Sequence, residues 1–461
     1  MKALYYCLLL ILLIVSCSKK NTEMDWNIPG PDITPESGTY SEPVTVSISC
    51  EMPEAEIRYT LDGTEPTENS FLFTEALLFA ETDSLTVKAK AFRTVFYPSP
   101  VAEAYYNVSL PQLPPPQIEP QGGLSSLPVV VAITSAVQGA VIHYTLNEEI
   151  PDNTSTVFIE PFYLAGDMIL KAYSTLWGYE NSIVVTEIYE FIPNAAGWGY
   201  DNYSQTEIPG ICDFTGIAAG GYHSLFLRAD GSLVGTGSNS RDQISVPEES
   251  SFAAIAAGTQ HSLALREDGS LAAWGWNQYG QADVPAGYDF SAIATAHNHN
   301  LALRKDGSII GWGWNDYGQT DVPAGNDYLA IAAGNFHSLA LKQDGTIIGW
   351  GDNGEGQITV PEGQNFIAIA AGSAHSLALR SDGSIIAWGN NNSGQTEVPQ
   401  GNSFVSIAAG RVHNLALQND GTVVHWGYTE YGLEEVPATP GIVKVSAGRY
   451  HNLVLWHNES N

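Results

Sequence analysis

The chain has 461 residues, with 18 Lys+Arg against 50 Asp+Glu and a formal net charge of -32 at pH 7. That balance argues against nucleic acid as a partner, because phosphate binding is driven by cationic side chains that release counterions. The acidic surplus is spread along the chain, which suits a hydrated surface, and the length allows two to four domains.

Residues 1–16 read as a targeting segment, not as part of a fold. Met1-Lys2 precedes a leucine-rich run from Leu8 to Val15, then Ile14-Val15-Ser16-Cys17 and the polar Ser18-Lys19-Lys20. The apolar stretch is shorter than the roughly 20 residues of a membrane-spanning helix. The pattern resembles a bacterial lipoprotein signal, with a plain signal peptide or an N-terminal membrane helix as alternatives. The resemblance implies cleavage before Cys17, lipidation of Cys17, and a tether over residues 17–30. The implied place is the bacterial cell envelope, extracytoplasmic, at the outer membrane or cell surface, with the lipid as the only membrane contact. Processing would remove Cys7 and leave Cys50 and Cys212 in different modules. Two cysteines make no disulfide framework. Both read as buried small side chains, an interdomain disulfide being the lesser alternative.

Residues 31–109 alternate as short strands, Val44 to Ser49, Glu56 to Thr60, Ser84 to Phe92 and Ala102 to Val108, with turn signals at Asp62-Gly63 and Pro66. Such spacing predicts a small β-sandwich. Residues 110–193 repeat it: Ile33-x-Pro35 recurs as Ile118-x-Pro120, Tyr59-Thr60-Leu61 as Tyr144-Thr145-Leu146, and Val87-Lys88-Ala89 as Leu170-Lys171-Ala172. The Pro-rich stretch from Leu110 to Pro116 reads as a stiff spacer. Gly38-Thr39-Tyr40-Ser41, Ile57 to Thr67 and Val87 to Phe92 resemble the chitobiase/β-hexosaminidase C-terminal domain, a fibronectin/immunoglobulin-like sandwich. In the second copy Asn147-Glu148-Glu149 replaces Asp-Gly-Thr, which puts its hairpin geometry in question. The resemblance implies a stalk or accessory module, with sugar binding through Tyr97 or Trp177 as the lesser reading.

Over residues 195–456, His223, His261, His299, His337, His375, His413 and His451 recur every 38 residues. A fixed period of this size marks a repeat architecture. Each unit reads as three strands, such as Ala254 to Ala257, His261 to Leu265 and Ser270 to Gly275, with a hairpin turn at Asp268-Gly269. The Trp-Gly half starts at Trp198-Gly199, before the first Gly-x-x-His half at Gly220, while the last half, Gly448 to His451, stands without a Trp-Gly after it. The two orphan halves make one blade, so the fold predicted is an all-β chain with a closed seven-bladed β-propeller behind two sandwiches. The motifs Ala-Gly-x-x-His-Ser/Asn-Leu-Ala-Leu, Asp-Gly-Ser/Thr and Trp-Gly-x-Asn-x-x-Gly-Gln resemble the regulator of chromosome condensation family, in a compact form like the propeller-type β-lactamase inhibitory protein. The family's uses include nucleotide exchange on small GTPases, chromatin binding and enzyme inhibition; an acidic, tethered, extracytoplasmic chain does not suit the first two. Departures are Thr236 for Trp, Arg241-Asp242 in the loop, and Ala296 for Gly.

The seven histidines do not read as metal ligands. Equivalent positions on neighbouring blades stand about 10 Å apart, whereas zinc binds imidazole at about 2.0–2.1 Å. They read as structural residues that hydrogen-bond backbone across the blade interface, and the repeated Asp268, Asp306, Asp344 and Asp382 as turn residues. No nucleophile, metal or phosphate-loop motif is present, so no catalytic residue, metal or cofactor is predicted. The informative positions are those where the repeats disagree. The loop after Trp-Gly carries Tyr200, Ser238, Trp276, Trp314, Asp352, Asn390 and Tyr428, and three residues on Tyr203, Arg241, Tyr279, Tyr317, Glu355, Ser393 and Tyr431. Aromatics thus occupy four blades along one arc with Arg241 in its gap, and the Gly-x-x-His loops add Tyr222, Phe336, Arg411, Arg449 and Tyr450. Tyr, Trp and Arg are the side chains enriched at binding hot spots. The expected function is a lipid-anchored, extracytoplasmic, non-enzymatic binding protein with a protein partner. The alternative is a cell-surface glycan-binding protein, and an enzyme of unknown type comes third.

Overall fold

A computed structural model describes residues 26–457; Cys17 and the targeting segment lie outside the described residues. In the first sandwich, Asp32–Thr34, Val44–Ser49 and Leu77–Phe79 form a three-stranded sheet. It faces a five-stranded sheet of Gly38–Tyr40, Ala102–Val108, Asp83–Phe92, Glu56–Thr60 and Phe71–Leu72. Strict in–out alternation along Val44–Ser49 sends Val44, Val46 and Ile48 into the core against Val87, Ala89 and Tyr106. Tyr106 is fully buried, and its hydroxyl donates to the carbonyl of Pro35 at 2.6 Å. Tyr189 does the same to Pro120 at 2.6 Å in the second sandwich. A buried phenol requires such an acceptor, which gives the recurrent Ile-x-Pro pairs a structural role.

The departure at Asn147 leaves the second hairpin intact. Asn147 Oδ1 accepts from the Glu149 amide at 3.0 Å, just as Asp62 Oδ1 accepts from the Thr64 amide at 3.0 Å. An amide oxygen closes this side-chain turn as well as a carboxylate does. The Pro-rich connector is held by the second sandwich: Leu113 donates to the Glu180 carbonyl, and Glu180 to that of Pro111.

Seven three-stranded sheets follow. Blade 1 comprises Phe214–Ala219, His223–Arg228 and Leu233–Gly237, and blades 2 to 6 repeat that order to Val423–Gly427. Blade 7 is assembled from both ends of the repeat region, with Ala195–Gly199 paired to His451–Trp456, which pairs in turn with Ile442–Ala447. Strands begin slightly differently from the sequence reading. The first of blade 2 runs Phe252–Ala257, starting two residues early across a register shift between Phe252 and Ala254, and the third starts at Leu271.

The apolar core lies between sheets. Leu227 and Leu233 of blade 1 pack with Phe252, Ala264 and Ala272 of blade 2, and Leu453 and Leu455 of blade 7 pack with Phe214 and Phe226 of blade 1. Each fully buried Leu contributes about 1.5–3 kcal/mol, so ring closure is built from the same packing as every other junction.

The second sandwich docks on the propeller. Asp167 donates its amide to the Gly210 carbonyl at 3.0 Å, and Cys212 donates to that of Ala165 at 3.0 Å. Cys212, expected to be buried, is buried in the apolar core of that sandwich with Ile118, Leu170 and Phe191. Cys50, expected to be buried, is half-buried at the end of its strand, with Sγ 3.5 Å from the Pro29 carbonyl.

Candidate binding face

Each ladder histidine is fully buried and reaches across to the next blade. The Nε2 atom lies 3.0 Å from Ser262 Oγ for His223, 2.8 Å from Asn300 for His261 and 2.9 Å from Ser338 for His299. The series continues from His337 to Ser376, His375 to Asn414 and His413 to Asn452, and His451 closes the ring on Ser224 at 3.0 Å. The expected backbone partner is therefore a side chain, the Ser or Asn that follows each histidine one blade on. Burial pushes the imidazoles down to about 3 for His223, His299, His337 and His413, and to about 4 for His261, His375 and His451. They are neutral structural groups at pH 7.

The recurrent spacing of small residues serves this packing. A Cβ at Gly258 would stand 2.4 Å from His261 Cε1 and 2.8 Å from the Ala296 carbonyl oxygen. Gly275 of Trp-Gly has φ +95°, and a Cβ there would stand 2.8 Å from the Gln260 carbonyl oxygen. The Trp before it donates its indole N–H backwards: Trp274 to the Gln243 carbonyl at 2.9 Å, Trp350 to that of Gln319 at 2.9 Å. In blade 1, where Thr236 replaces Trp, the Thr236 hydroxyl is buried with no protein partner.

The loop glutamines show what the variable positions do. In six blades a buried Gln closes its own loop, its Oε1 accepting from the backbone amide two residues earlier: Tyr203 to Gln205 at 3.0 Å, Arg241 to Gln243 at 2.8 Å, Tyr279 to Gln281 at 2.8 Å, Tyr317 to Gln319 at 3.0 Å, Glu355 to Gln357 at 2.8 Å and Ser393 to Gln395 at 2.8 Å. The other half of the amide depends on the residue after Trp-Gly. Gln357 Nε2 donates to Asp352 at 2.8 Å and Gln395 Nε2 to Asn390 at 2.8 Å. Where Tyr200, Trp276 and Trp314 stand instead, the Nε2 atoms of Gln205, Gln281 and Gln319 are buried without a protein partner.

The aromatics form two nests instead of one arc. In the first, Trp276, Tyr279, Trp314, Tyr317 and Phe336 join with His297; the Tyr279–Trp314 and Tyr317–Phe336 centroids are 5.7 and 5.1 Å apart. In the second, Tyr200, Tyr203, Tyr222, Tyr428, Tyr431 and Tyr450 interlock, with Tyr200–Tyr431 at 5.2 Å and Tyr203–Tyr222 at 5.4 Å. Blade 1 carries Ser238 and an exposed Arg241 between them, so the arc breaks there. Tyr203–Tyr222 and Trp314–Phe336 contacts join the two loop types, which therefore share a face. The residues after Trp-Gly are half-buried, whereas Tyr203, Tyr279, Tyr317 and Tyr431 are 40–50% exposed.

A third feature lies at the ring's axis. Three residues of each blade line a cavity of about 350 Å³, among them one varied position per blade, at Gly221, Thr259, His297, Asn335, Ser373, Arg411 and Arg449. Of the lining residues, sequence reasoning singled out Phe336 and the two arginines. The signal for the rest was available, since the position after each Ala-Gly (Thr-Ala in one blade) is polar or glycine in all seven repeats.

Models of the chitobiase/beta-hexosaminidase C-terminal domain match residues 35–103 and 120–186, and models of the regulator of chromosome condensation (RCC1) repeat match residues 214–243, 252–281, 290–319, 329–357 and 366–395. The propeller thus carries regulator of chromosome condensation repeats between residues 214 and 395, behind two domains of the chitobiase type. Among solved structures, Prp20p from Saccharomyces cerevisiae, described with its binding to Gsp1p and histones, is similar at 19% identity and TM-score 0.50, covering 58% of this chain and 92% of its own. Yeast RCC1 (Prp20) in complex with Kap60 matches at 19% and 0.50, covering 58% and 89%. Human WBSCR16 matches at 19% and 0.49, covering 57% and 98%. No curated protein sequence matches the chain.

Proposed function

We propose that the loop face of the propeller binds a protein partner, with the two sandwiches as a stalk and Cys17 as a lipid anchor on the extracytoplasmic side of a bacterial envelope. The reading is non-enzymatic. The observation that carries it is the set of buried Nε2 atoms on Gln205, Gln281 and Gln319. A buried unsatisfied donor costs about 1–3 kcal/mol, and the polar blades avoid it with Asp352 and Asn390. A fold seeking stability alone would use the polar residue in every blade. Aromatics placed against that gradient, with their neighbours half-exposed in loops, suit recognition. Protein binding described for Prp20p is consistent with this use of the fold.

The test is capture from the native membrane fraction by the full chain, compared with a Trp276→Ala/Tyr279→Ala/Trp314→Ala variant. One protein captured by wild type and lost in the variant supports the reading. Binding to a polysaccharide array that is lost in the same variant would replace it with glycan recognition.

A further inference from the structure

The axial mouth brings two arginines of an acidic chain to one cavity. Arg228 pairs with Asp213 at 3.0 Å, Arg266 with Glu249 at 2.7 Å and Arg304 with Asp289 at 2.9 Å, whereas Arg241 stands alone on an exposed loop and Arg380 lies over the Phe366 ring at 5.6 Å. Arg411 and Arg449 come from adjacent blades, form no ion pair among the described residues, and face one cavity. Aromatic rings hold them in place. The Arg449 guanidinium lies 5.1 Å from the Tyr222 centroid and 5.6 Å from that of Tyr450, while Arg411 lies 5.3 Å from Tyr450 and donates to its hydroxyl. Arg449 Nε is buried with no protein partner.

The remaining polar groups around the mouth can all donate. Thr259, Thr295 and Ser373 bring hydroxyls, Asn335 an amide that donates to the Ser373 hydroxyl, and His297 an imidazole, and no carboxylate lines the cavity. Two like charges fixed side by side and partly removed from water are unfavourable unless something negative stands between them. Burial and the neighbouring Arg449 hold Arg411 below the usual guanidinium range, and burial with both arginines lowers His297. An oxyanion removes both penalties, because a planar guanidinium fork matches carboxylate and phosphate oxygens.

We propose that the mouth of the axial channel is an oxyanion-binding site, held by Arg411 and Arg449, for the carboxylate or phosphate group of a small ligand. A cavity of about 350 Å³ matches the lower end of small-molecule pockets and is too small for a folded domain. The site goes beyond the protein-partner reading, and its measurement needs no partner, so either can fail alone.

The experiment is calorimetric titration of the purified full chain with inorganic phosphate and, separately, with succinate, against sodium chloride at matched ionic strength. The expected result is saturable one-to-one binding of at least one anion, weakened tenfold or more in both Arg449→Gln and Arg411→Gln, with the variants unfolding at the wild-type temperature. Preference for succinate assigns a carboxylate ligand, and preference for phosphate a phosphoryl one. No saturable binding of either anion by wild type, or wild-type binding in both variants, would overturn the proposal. Should one variant fail to fold, the other carries the same test alone.

Discussion

Gln357 Nε2 donates to Asp352 Oδ2 at 2.8 Å, and the same amide nitrogen on Gln281, five residues after Trp276, has no protein partner. The two loops are otherwise alike, each Gln oxygen taking a backbone amide at 2.8 Å. A single position therefore sets a balance between loop satisfaction and surface chemistry. Replacing the satisfied pair should reveal its size. Asp352→Leu strands Gln357 Nε2 and is expected to cost about 1–3 kcal/mol, seen as a lower unfolding midpoint in calorimetry; an unchanged midpoint would show that the amide does not need its partner.

The histidine ladder predicts acid sensitivity with a defined sign. A free imidazole titrates near 6.5, and burial holds the seven folded ones at about 3 or 4. Between those values the unfolded chain binds more protons than the folded one. The contribution is complete above about pH 6.5 and falls away as pH drops toward the folded values, by up to about 1.4 kcal/mol per pH unit per histidine. Turn carboxylates such as Asp306 are also lowered, from 3.8, so their share is lost only in stronger acid. The propeller's midpoint should fall steadily from pH 7 to pH 5, and a flat midpoint across that window would contradict neutral buried histidines. His337→Ala, which leaves a cavity beside Ser376, is expected to destabilise by about 2–4 kcal/mol.

Blade 1 carries a repairable defect. Thr236 leaves a buried hydroxyl without a protein partner where five other blades and the closing one place a Trp that donates to a carbonyl. Thr236→Trp should raise stability by about 0.5–2 kcal/mol. A lower unfolding midpoint would mean that blade 1 has closed over the space.

The two cysteines should differ in reactivity. Burial pushes the Cys212 thiol up to about 11, and thiolate is the reactive form. At pH 8 a maleimide should label Cys50 in the native chain and reach Cys212 only after unfolding. Native labelling of Cys212 would contradict its place in the second sandwich core.

Blade number, closure and strand positions were legible because a 38-residue period and strand alternation are local patterns. The histidine partner was not, since it stands 39 residues on, across a sheet interface, although each histidine is followed by Ser or Asn. The surroundings of Cys212 were not legible for a similar reason: Gly210 to Cys212 pair with Ala165 to Asp167 of another module, a contact no pattern encodes. The aromatic positions were legible as exceptions to the repeat. Their division into two nests, and the axial ring that includes Thr259, His297, Asn335 and Ser373, depend on how seven loops converge in space.

On the proposed reading, the loop aromatics serve recognition and not the fold. The most direct measurement is the unfolding midpoint of Trp276→Asn, which removes a half-buried ring and gives Gln281 Nε2 the acceptor that Asn390 gives Gln395. Lost packing and the regained hydrogen bond each amount to about 1–2 kcal/mol and oppose one another. The expected midpoint lies within a few degrees of wild type or above it. A fall equivalent to more than about 3 kcal/mol would make Trp276 a cap on its own blade and rule out a purely recognitional role.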